Sequence, residues 1–138
     1  MKIAVLEPLG ISDESLRALL SKATQGHDVE VVTYPDRKED EETLAERSAD
    51  ADIVVVSNIK YPASVIDKNP NLKYVCVAFT GYDHVDMAYC REHGIQVSNC
   101  AGYSTVAVAD LTFGLVIDVL RNISTLNSIV RQGGTKDG

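Results

Sequence analysis

Four short segments follow runs of apolar residues that are typical of β-strands. They are Glu7-Pro8, Ser57-Asn58, residues 79–82 (FTGY) and residues 99–103 (NCAGY). If these strands belong to one open parallel sheet, all four segments lie beyond its carboxyl edge, where the ligands of such folds bind. The four segments are therefore the first candidates for a ligand site.

Thr80-Gly81 is the sharpest candidate among them. Glycine allows a ligand to come close to the backbone, and successive N–H groups can hold a carboxylate. The alternative is a turn that requires glycine and has no further role. A β-branched residue at Gly81 should block the approach of a carboxylate, and we also expect it to conflict with the backbone angle there.

Other polar residues carry weaker signals. Asn58 could reach a ligand from the end of the third strand, although asparagine is also common in turns. Asp83 and His84 are adjacent, so their side chains cannot readily face each other as a catalytic dyad. Cys90 and His93 lie three residues apart on a short predicted helix, but two ligands do not make a zinc site. We predict no metal site.

The elements that position these residues alternate along the chain. Predicted helices begin at Ser12, Pro62 and Asp86, and Gly26 and Gly94 end two helices. Five apolar segments are predicted strands: residues 2–6, 29–32, 52–56, 72–77 and 95–98. This alternation indicates a parallel sheet with right-handed crossovers. We predict an α/β fold, a flavodoxin-like doubly wound domain over residues 1–100.

The character of the chain changes after residue 102. Ser104 or Thr105 can cap a helix that continues to about Val130, and its segment 106–120 is apolar on nearly every side. A surface helix needs only one apolar stripe, so this helix is expected to have partners on several sides. We assign residues 101–131 to a long linking and dimerisation helix. The polar, Gly-rich residues 132–138 are predicted to be a flexible tail.

Composition narrows the class of protein. The chain has 138 residues, 45% of them hydrophobic, and a formal net charge of −7. That charge argues against a nucleic-acid or anionic-membrane surface, which needs clustered Lys and Arg. Three cysteines form no even disulfide framework and fit a reducing cytoplasm. The N-terminal MKIAVLEP lacks the features of a signal peptide, and segment 106–120 is too short to span a bilayer.

Several motifs of nucleotide-binding and signalling proteins are absent from the sequence. There is no G-x-G-x-x-G and no Walker A sequence. A two-component receiver needs an acidic pair after its first strand and an Asp after its third, where this chain has Glu7-Pro8 and Ser57-Asn58. A flavodoxin needs a Ser/Thr-rich phosphate loop, where this chain has residues 8–11, PLGI.

The longest informative pattern runs from residue 71 to residue 123. It consists of Leu72-Lys73, Thr80-Gly81-Tyr82-Asp83, Val85-Asp86, Gly94-Ile95, Val97-Ser98-Asn99, Tyr103-Ser104 and Val108-Ala109-Asp110. It resembles the N-terminal part of the D-isomer-specific 2-hydroxyacid dehydrogenases, which depend on NAD or NADP. That domain is flavodoxin-like in the family, which agrees with the fold predicted from the residues.

The resemblance implies roles for particular residues. It implies that the backbone amides of Thr80 and Gly81 bind the substrate carboxylate, that Tyr103 lines the substrate site and that Val108 touches the nicotinamide ring. Without the resemblance, Tyr103 is a loop tyrosine packed on its own domain and Val108 is a core residue. Asp110 stands where the family usually has Glu, but an acid still begins the helix. The family's helix contributes to a homodimer interface.

Two functions follow from these observations. The first is a truncated dehydrogenase that moves a hydride between a nicotinamide cofactor and carbon 2 of a small 2-hydroxy or 2-keto acid. The cofactor motif and the catalytic Arg, His and acid would then lie beyond Gly138. No catalytic residue is assigned within the chain, which alone should be inactive and without bound cofactor. The second is a complete non-catalytic protein that binds a small acid or a dehydrogenase subunit. A reading frame that continues into a G-x-G-x-x-G would favour the first.

Overall fold

Five parallel strands form one sheet in the computed structural model, which describes residues 1–135. The strands are β1 (Lys2–Val5), β2 (Glu30–Thr33), β3 (Ile53–Val56), β4 (Tyr74–Val77) and β5 (Gln96–Asn99). Their order across the sheet is β2-β1-β3-β4-β5. This is the strand order of flavodoxin-like folds, so the predicted doubly wound α/β architecture is confirmed.

Four helices connect the strands: α1 (Asp13–Ala23), α2 (Glu41–Ser48), α3 (Ala63–Ile66) and α4 (Met87–Glu92). The side chains of Ser12, Asp40 and Asp86 cap three of them by accepting a hydrogen bond from the backbone of the first turn. Gly26 and Gly94 follow α1 and α4 with positive φ angles of 84° and 69°. The predicted roles of these two glycines as helix ends are confirmed.

The sheet is covered on both faces because side chains alternate along each strand. On one face, Ala4, Leu6, Val54 and Val56 belong to the larger buried cluster, together with residues of α2, α3 and α4. On the other face, Ile3, Val5 and Val55 form a smaller cluster, against which Leu16 and Leu20 of α1 pack. The continuous apolar runs of β1 and β3 follow from this two-sided burial.

Arg47 fixes the loop between β2 and α2 at the carboxyl edge of the sheet. Its guanidinium donates to the carbonyl oxygens of Leu6 and Asp36 at 3.1 and 2.9 Å and to Asp36 Oδ1 at 2.7 Å. It also stacks over Tyr34, with 4.5 Å between the guanidinium carbon and the ring centroid. Arg37, the residue that follows Asp36 in this loop, is therefore held near the end of β1.

The chain divides into two compact units, Met1–Ala101 and a second that begins at Gly102. The second unit contains α5 (Thr105–Arg121) and α6 (Ile123–Arg131). The prediction of one continuous helix to about Val130 is wrong at Asn122, which has a φ of 50°. Asp118 accepts hydrogen bonds from the backbone N and the Oγ of Ser124, both at 2.7 Å, and so caps the start of α6.

Residues 136–138 of the predicted tail lie outside the part of the chain that the structure describes. Among the helices of residues 1–135, none is both long enough and apolar enough to cross a membrane.

Candidate functional site

The carboxyl edge of the sheet brings together the segments that follow four adjacent strands. Glu7 lies beyond β1, Ser57 and Asn58 follow β3, Thr80 lies beyond β4, and Cys100 follows β5. These strands are neighbours in the order β1-β3-β4-β5. The four segments singled out from the sequence therefore begin at the same edge of the first unit, and the last of them continues past Ala101 into residues of the second unit.

Residues 80–84 form a loop at this edge whose backbone N–H groups are free. Over residues 1–135, no hydrogen bond has the N–H of any of these five residues as its donor. Asn99 holds the loop, because its Nδ2 donates to the carbonyl oxygen of Thr80 at 2.6 Å. The N–H of Cys100 donates to the carbonyl oxygen of Phe79 at 2.9 Å. The loop thus presents unpartnered donors on a fixed backbone.

Gly81 leaves space beside these donors but does not need a glycine-only backbone angle. It is absent from the positive-φ residues of the described chain, so the expected conflict between a side chain and the backbone angle is wrong. A Cβ added at Gly81 would lie 3.3 Å from Asp83 Oδ1 and would meet no backbone atom. Gly81 therefore leaves room for a ligand beside the N–H donors, and its backbone angles do not require glycine.

Glu7 is a buried carboxylate. From the sequence alone, it could be predicted only to lie at the carboxyl edge of the sheet. It is 1% exposed. Its Oε1 accepts hydrogen bonds from the backbone N–H groups of Ser57, Asn58 and Ile59 at 2.6, 2.8 and 3.0 Å. Its Oε2 accepts from Arg37 Nη1 at 2.9 Å. An acid directly after a buried strand is the only sequence signal of this arrangement.

Asn58 lies on the loop that Glu7 holds. Its Oδ1 accepts a hydrogen bond from Nη1 of Arg37. No hydrogen bond within residues 1–135 has Asn58 Nδ2 as its donor. The side chain of Asn58 is therefore oriented by Arg37, and its amide donors remain available.

His84 completes the free loop with a neutral imidazole. Its Nε2 is buried and has no hydrogen-bond partner among the described residues. Burial lowers the pKa of His84, although the carboxylates of Asp83 and Glu7 act in the opposite direction. Since the ordinary pKa of histidine is about 6.5, the ring is uncharged at neutral pH. No hydrogen bond joins Asp83 to His84 in the described chain, as expected for adjacent residues.

Tyr103 and Val108, the other two predicted site residues, belong to the second unit. Their exposed fractions are 64% and 58%. Val108 is on α5, and Tyr103 precedes it. Their roles at the substrate and the nicotinamide ring stay predictions.

Cys90 of α4 and His93, which directly follows this helix, do not form a metal site with a third ligand among the described residues. Cys90 is fully buried, and the His93 ring stacks on Tyr89 with 3.8 Å between ring centroids. Within residues 1–135, no group of three or more His, Cys, Asp or Glu side chains is arranged to hold a metal ion.

Sequence comparison connects the chain to a large group of oxidoreductases. Residues 3–136 match the family model for the D-isomer specific 2-hydroxyacid dehydrogenase, catalytic domain. The D-3-phosphoglycerate dehydrogenase of Methanocaldococcus jannaschii is 34% identical over 134 residues, which are 96% of this chain and 24% of that protein. The hydroxypyruvate reductase of Blautia hydrogenotrophica is 34% identical over 94 residues, which are 68% of this chain and 29% of that protein. The chain thus spans 24% to 29% of the length of these two relatives.

Solved structures show the same similarity. An acyclic imino acid reductase in complex with NADPH and D-Arg has a TM-score of 0.79 and 30% identity, over 96% of this chain and 41% of that one. The NAD-dependent formate dehydrogenase from Staphylococcus aureus, in complex with NAD, has a TM-score of 0.73 and 26% identity, over 99% of this chain and 43% of that one.

Proposed function

The chain belongs to the D-isomer specific 2-hydroxyacid dehydrogenase family, and on that premise we propose that its first unit binds the carboxylate of a small 2-hydroxy or 2-keto acid. The backbone N–H groups of Thr80 and Gly81 are the proposed donors. Asn58 and Tyr103 are proposed as further contacts to the substrate.

The single observation that supports this proposal most is the run of free N–H groups at residues 80–84. Backbone donors that are left unpaired at the ligand edge of a parallel sheet are suited to an anion. The side-chain Nδ2 of Asn99 donates to the carbonyl oxygen of Thr80 at 2.6 Å, and this hydrogen bond restrains the orientation of the loop. The neutral His84 ring adds no charge of its own, which leaves dipoles to hold the carboxylate.

The proposed reaction is the transfer of a hydride between carbon 2 of the acid and a nicotinamide ring. Oxidation of the hydroxy acid releases the hydroxyl proton and moves the hydride from carbon 2 to the cofactor, and reduction of the keto acid reverses both transfers. In this scheme the free amides hold the carboxylate and thereby fix the position of carbon 2 beside it. We assign no proton transfer to a residue of this chain.

The residues of this chain provide little of a dinucleotide site. The sequence has no G-x-G-x-x-G, whose glycines would allow backbone N–H groups at a helix start to hold the pyrophosphate. Val108 is the one residue proposed to contact NAD or NADP, at the nicotinamide ring. The contribution of this chain to the reaction is therefore to hold and orient the acid.

A titration followed by nuclear magnetic resonance tests the proposed site. Glyoxylate, pyruvate or hydroxypyruvate is added to the ¹⁵N-labelled chain, and we expect the amide signals of residues 80–84 to shift most. Methyl pyruvate, which lacks the carboxylate, is the matched control and should leave these signals in place. Equal shifts with the ester, or no shift at millimolar acid, would remove the carboxylate site from this loop.

A further inference from the structure

Glu7 and Arg37 form a hydrogen-bonded network that contacts both the backbone and the side chain of Asn58. The carboxylate of Glu7 is inaccessible to a ligand, because it is 1% exposed and its two oxygens accept four hydrogen bonds. Three of these come from consecutive backbone N–H groups at 2.6–3.0 Å. Hydrogen bonds to a charged acceptor are about twice as strong as neutral ones. The buried carboxylate of Glu7 therefore fixes the backbone of residues 57–59.

Arg37 connects that buried carboxylate to the exposed side chain of Asn58. Its Nη1 donates both to Glu7 Oε2, at 2.9 Å, and to Asn58 Oδ1. Its Nε donates to Glu39 Oε1 at 2.7 Å. The positive charge thus faces two carboxylates, which makes Arg37 a poor receptor for a further anion. What Arg37 does provide is a fixed orientation for the amide of Asn58.

We propose that Glu7 and Arg37 are positioning residues, which turn the amide of Asn58 so that its Nδ2 donors are free for an oxygen of the bound acid. The carbonyl oxygen of Asn58 is occupied by Arg37, so the group that remains available is a hydrogen-bond donor. A donor suits the keto or carboxylate oxygen of a small 2-keto acid. The assignment of that ligand rests on the proposed function.

Arg37→Gln is the principal test, because this side chain is 43% exposed and its loss should leave the fold intact. We expect the side-chain amide resonances of Asn58 to move and glyoxylate to bind about tenfold more weakly, as for the loss of one oriented hydrogen bond. When glyoxylate is added to Arg37→Gln, the backbone amide signals of residues 80–84 should still shift most. Glu39→Gln is the matched control, since it removes an exposed carboxylate from the same guanidinium, and it should change neither quantity.

A double-mutant cycle separates positioning from simple stabilisation. Asn58→Ala should weaken glyoxylate binding as much as Arg37→Gln, and combining the two should add little, because both remove one interaction. Full additivity would contradict the proposal. Glu7→Gln should speed hydrogen exchange at residues 57–59, and if that variant does not fold, the cycle alone decides.

Failure of this inference differs from failure of the proposed function. If the wild-type chain does not bind glyoxylate, the carboxylate site fails, whereas the orientation of Asn58 is still judged from its side-chain amide resonances. Unchanged Asn58 resonances in Arg37→Gln overturn the positioning role whatever the titration shows. Altered resonances together with unchanged glyoxylate affinity overturn the role in ligand binding.

Discussion

At the scale of single residues, the proposed site depends on backbone groups more than on titratable side chains. Thr80 and Gly81 contribute N–H groups, and the side chain of Asn99 fixes their direction from the next strand. Gly81 is the position where any side chain would intrude, although its backbone angle accepts one. Substitution at this position should therefore separate ligand binding from folding.

Gly81→Val should reduce binding of glyoxylate at least about tenfold while it changes the free energy of unfolding by less than about 1 kcal/mol. The branched side chain would occupy the space beside the donors, and its Cβ would lie 3.3 Å from Asp83 Oδ1. Titration and urea unfolding measure the two quantities. Asp83→Asn controls for displacement of that carboxylate. Unchanged glyoxylate affinity in Gly81→Val would exclude Thr80-Gly81 from the site.

Tyr61→Phe should leave the chain as stable as the wild type or more stable by about 1 kcal/mol. Tyr61 is completely buried, and no group of residues 1–135 makes a hydrogen bond of normal geometry with its hydroxyl. Burial raises the pKa of Tyr61 to about 12, although the nearby side chain of Ser48 acts in the opposite direction. Urea unfolding is the measurement. Tyr89→Phe is the contrasting variant, because Tyr89 donates to Asp67 at 2.7 Å, and it should lower the free energy of unfolding. A clear loss of stability in Tyr61→Phe would show that its hydroxyl is bonded.

At the scale of elements, the two edges of the sheet differ in role. The carboxyl edge carries the free loop and the Glu7 network, whereas the amino edge is tied together by Asp52. The carboxylate of Asp52 accepts hydrogen bonds from the backbone N of Lys2 at 2.9 Å and from Lys73 Nζ at 2.5 Å. Its carbonyl oxygen accepts from the N–H groups of Lys73 and Tyr74. One residue thus joins β1, β3 and β4 where these strands begin.

Asp52→Asn should lower the free energy of unfolding at pH 7, and the difference from the wild type should shrink in acid. The hydrogen bond from Lys73, followed by that from Lys2, lowers the pKa of Asp52. A lowered pKa means that the unfolded chain takes up the proton first as pH falls. The stabilisation is therefore complete above about pH 4 and is lost as pH falls through the folded-state pKa.

Urea unfolding at pH 7, 5 and 3 measures this difference. Asp28→Asn, at the same edge, is the control and should have a small effect at every pH, since no hydrogen bond within residues 1–135 involves its side chain. A difference between Asp52→Asn and the wild type that does not change with pH would contradict the assignment.

At the scale of the whole molecule, the second unit carries an unusual amount of exposed apolar surface. On α5 alone, the exposed large side chains are Val106, Val108, Leu111, Phe113, Leu115, Val116, Ile117, Val119 and Leu120. An apolar patch of more than a few hundred Å² rarely stays exposed on a soluble monomer. We propose that this helix pairs with its copy in a second chain around a two-fold axis.

A dimer of the 15.0 kDa chain should be seen by light scattering coupled to gel filtration at tens of micromolar protein. Burial of about six such side chains contributes on the order of 10 kcal/mol before the costs of association are subtracted. Leu115→Glu or Val119→Glu should yield monomers. Leu19→Glu replaces an exposed leucine of α1 in the first unit and should leave the dimer intact. A monomer mass for the wild-type chain would contradict the proposal.

The 138-residue chain should not oxidise NADH in the presence of pyruvate, glyoxylate or hydroxypyruvate. Its sequence contains no glycine-rich turn for the pyrophosphate, and no catalytic residue is assigned to it. Absorbance at the NADH band measures turnover, and calorimetry measures cofactor binding. Clear turnover, or NAD binding in the micromolar range, would show that the chain has a cofactor site that its motifs do not predict.

The sequence by itself determined the features of this protein that depend on neighbouring residues. The Ile-Val run of β3, the caps at Ser12 and Asp86 and the helix end at Gly94 could all be predicted, because hydrophobic period and capping act over a few residues. The Thr80-Gly81 loop could be predicted to lie at the ligand edge, because strand ends in a parallel sheet share one edge.

Only the tertiary structure decided which side chains complete that edge. Glu7 meets the backbone of Ser57, Asn58 and Ile59 across 50 to 52 residues of sequence, and Arg37 reaches Asn58 across 21. Such partners depend on how the crossover connections place distant loops side by side. A single acidic residue or arginine in the sequence does not indicate which distant residue it will contact. The break of the last helix at Asn122 was also missed, because helical periodicity does not register one residue in a left-handed conformation.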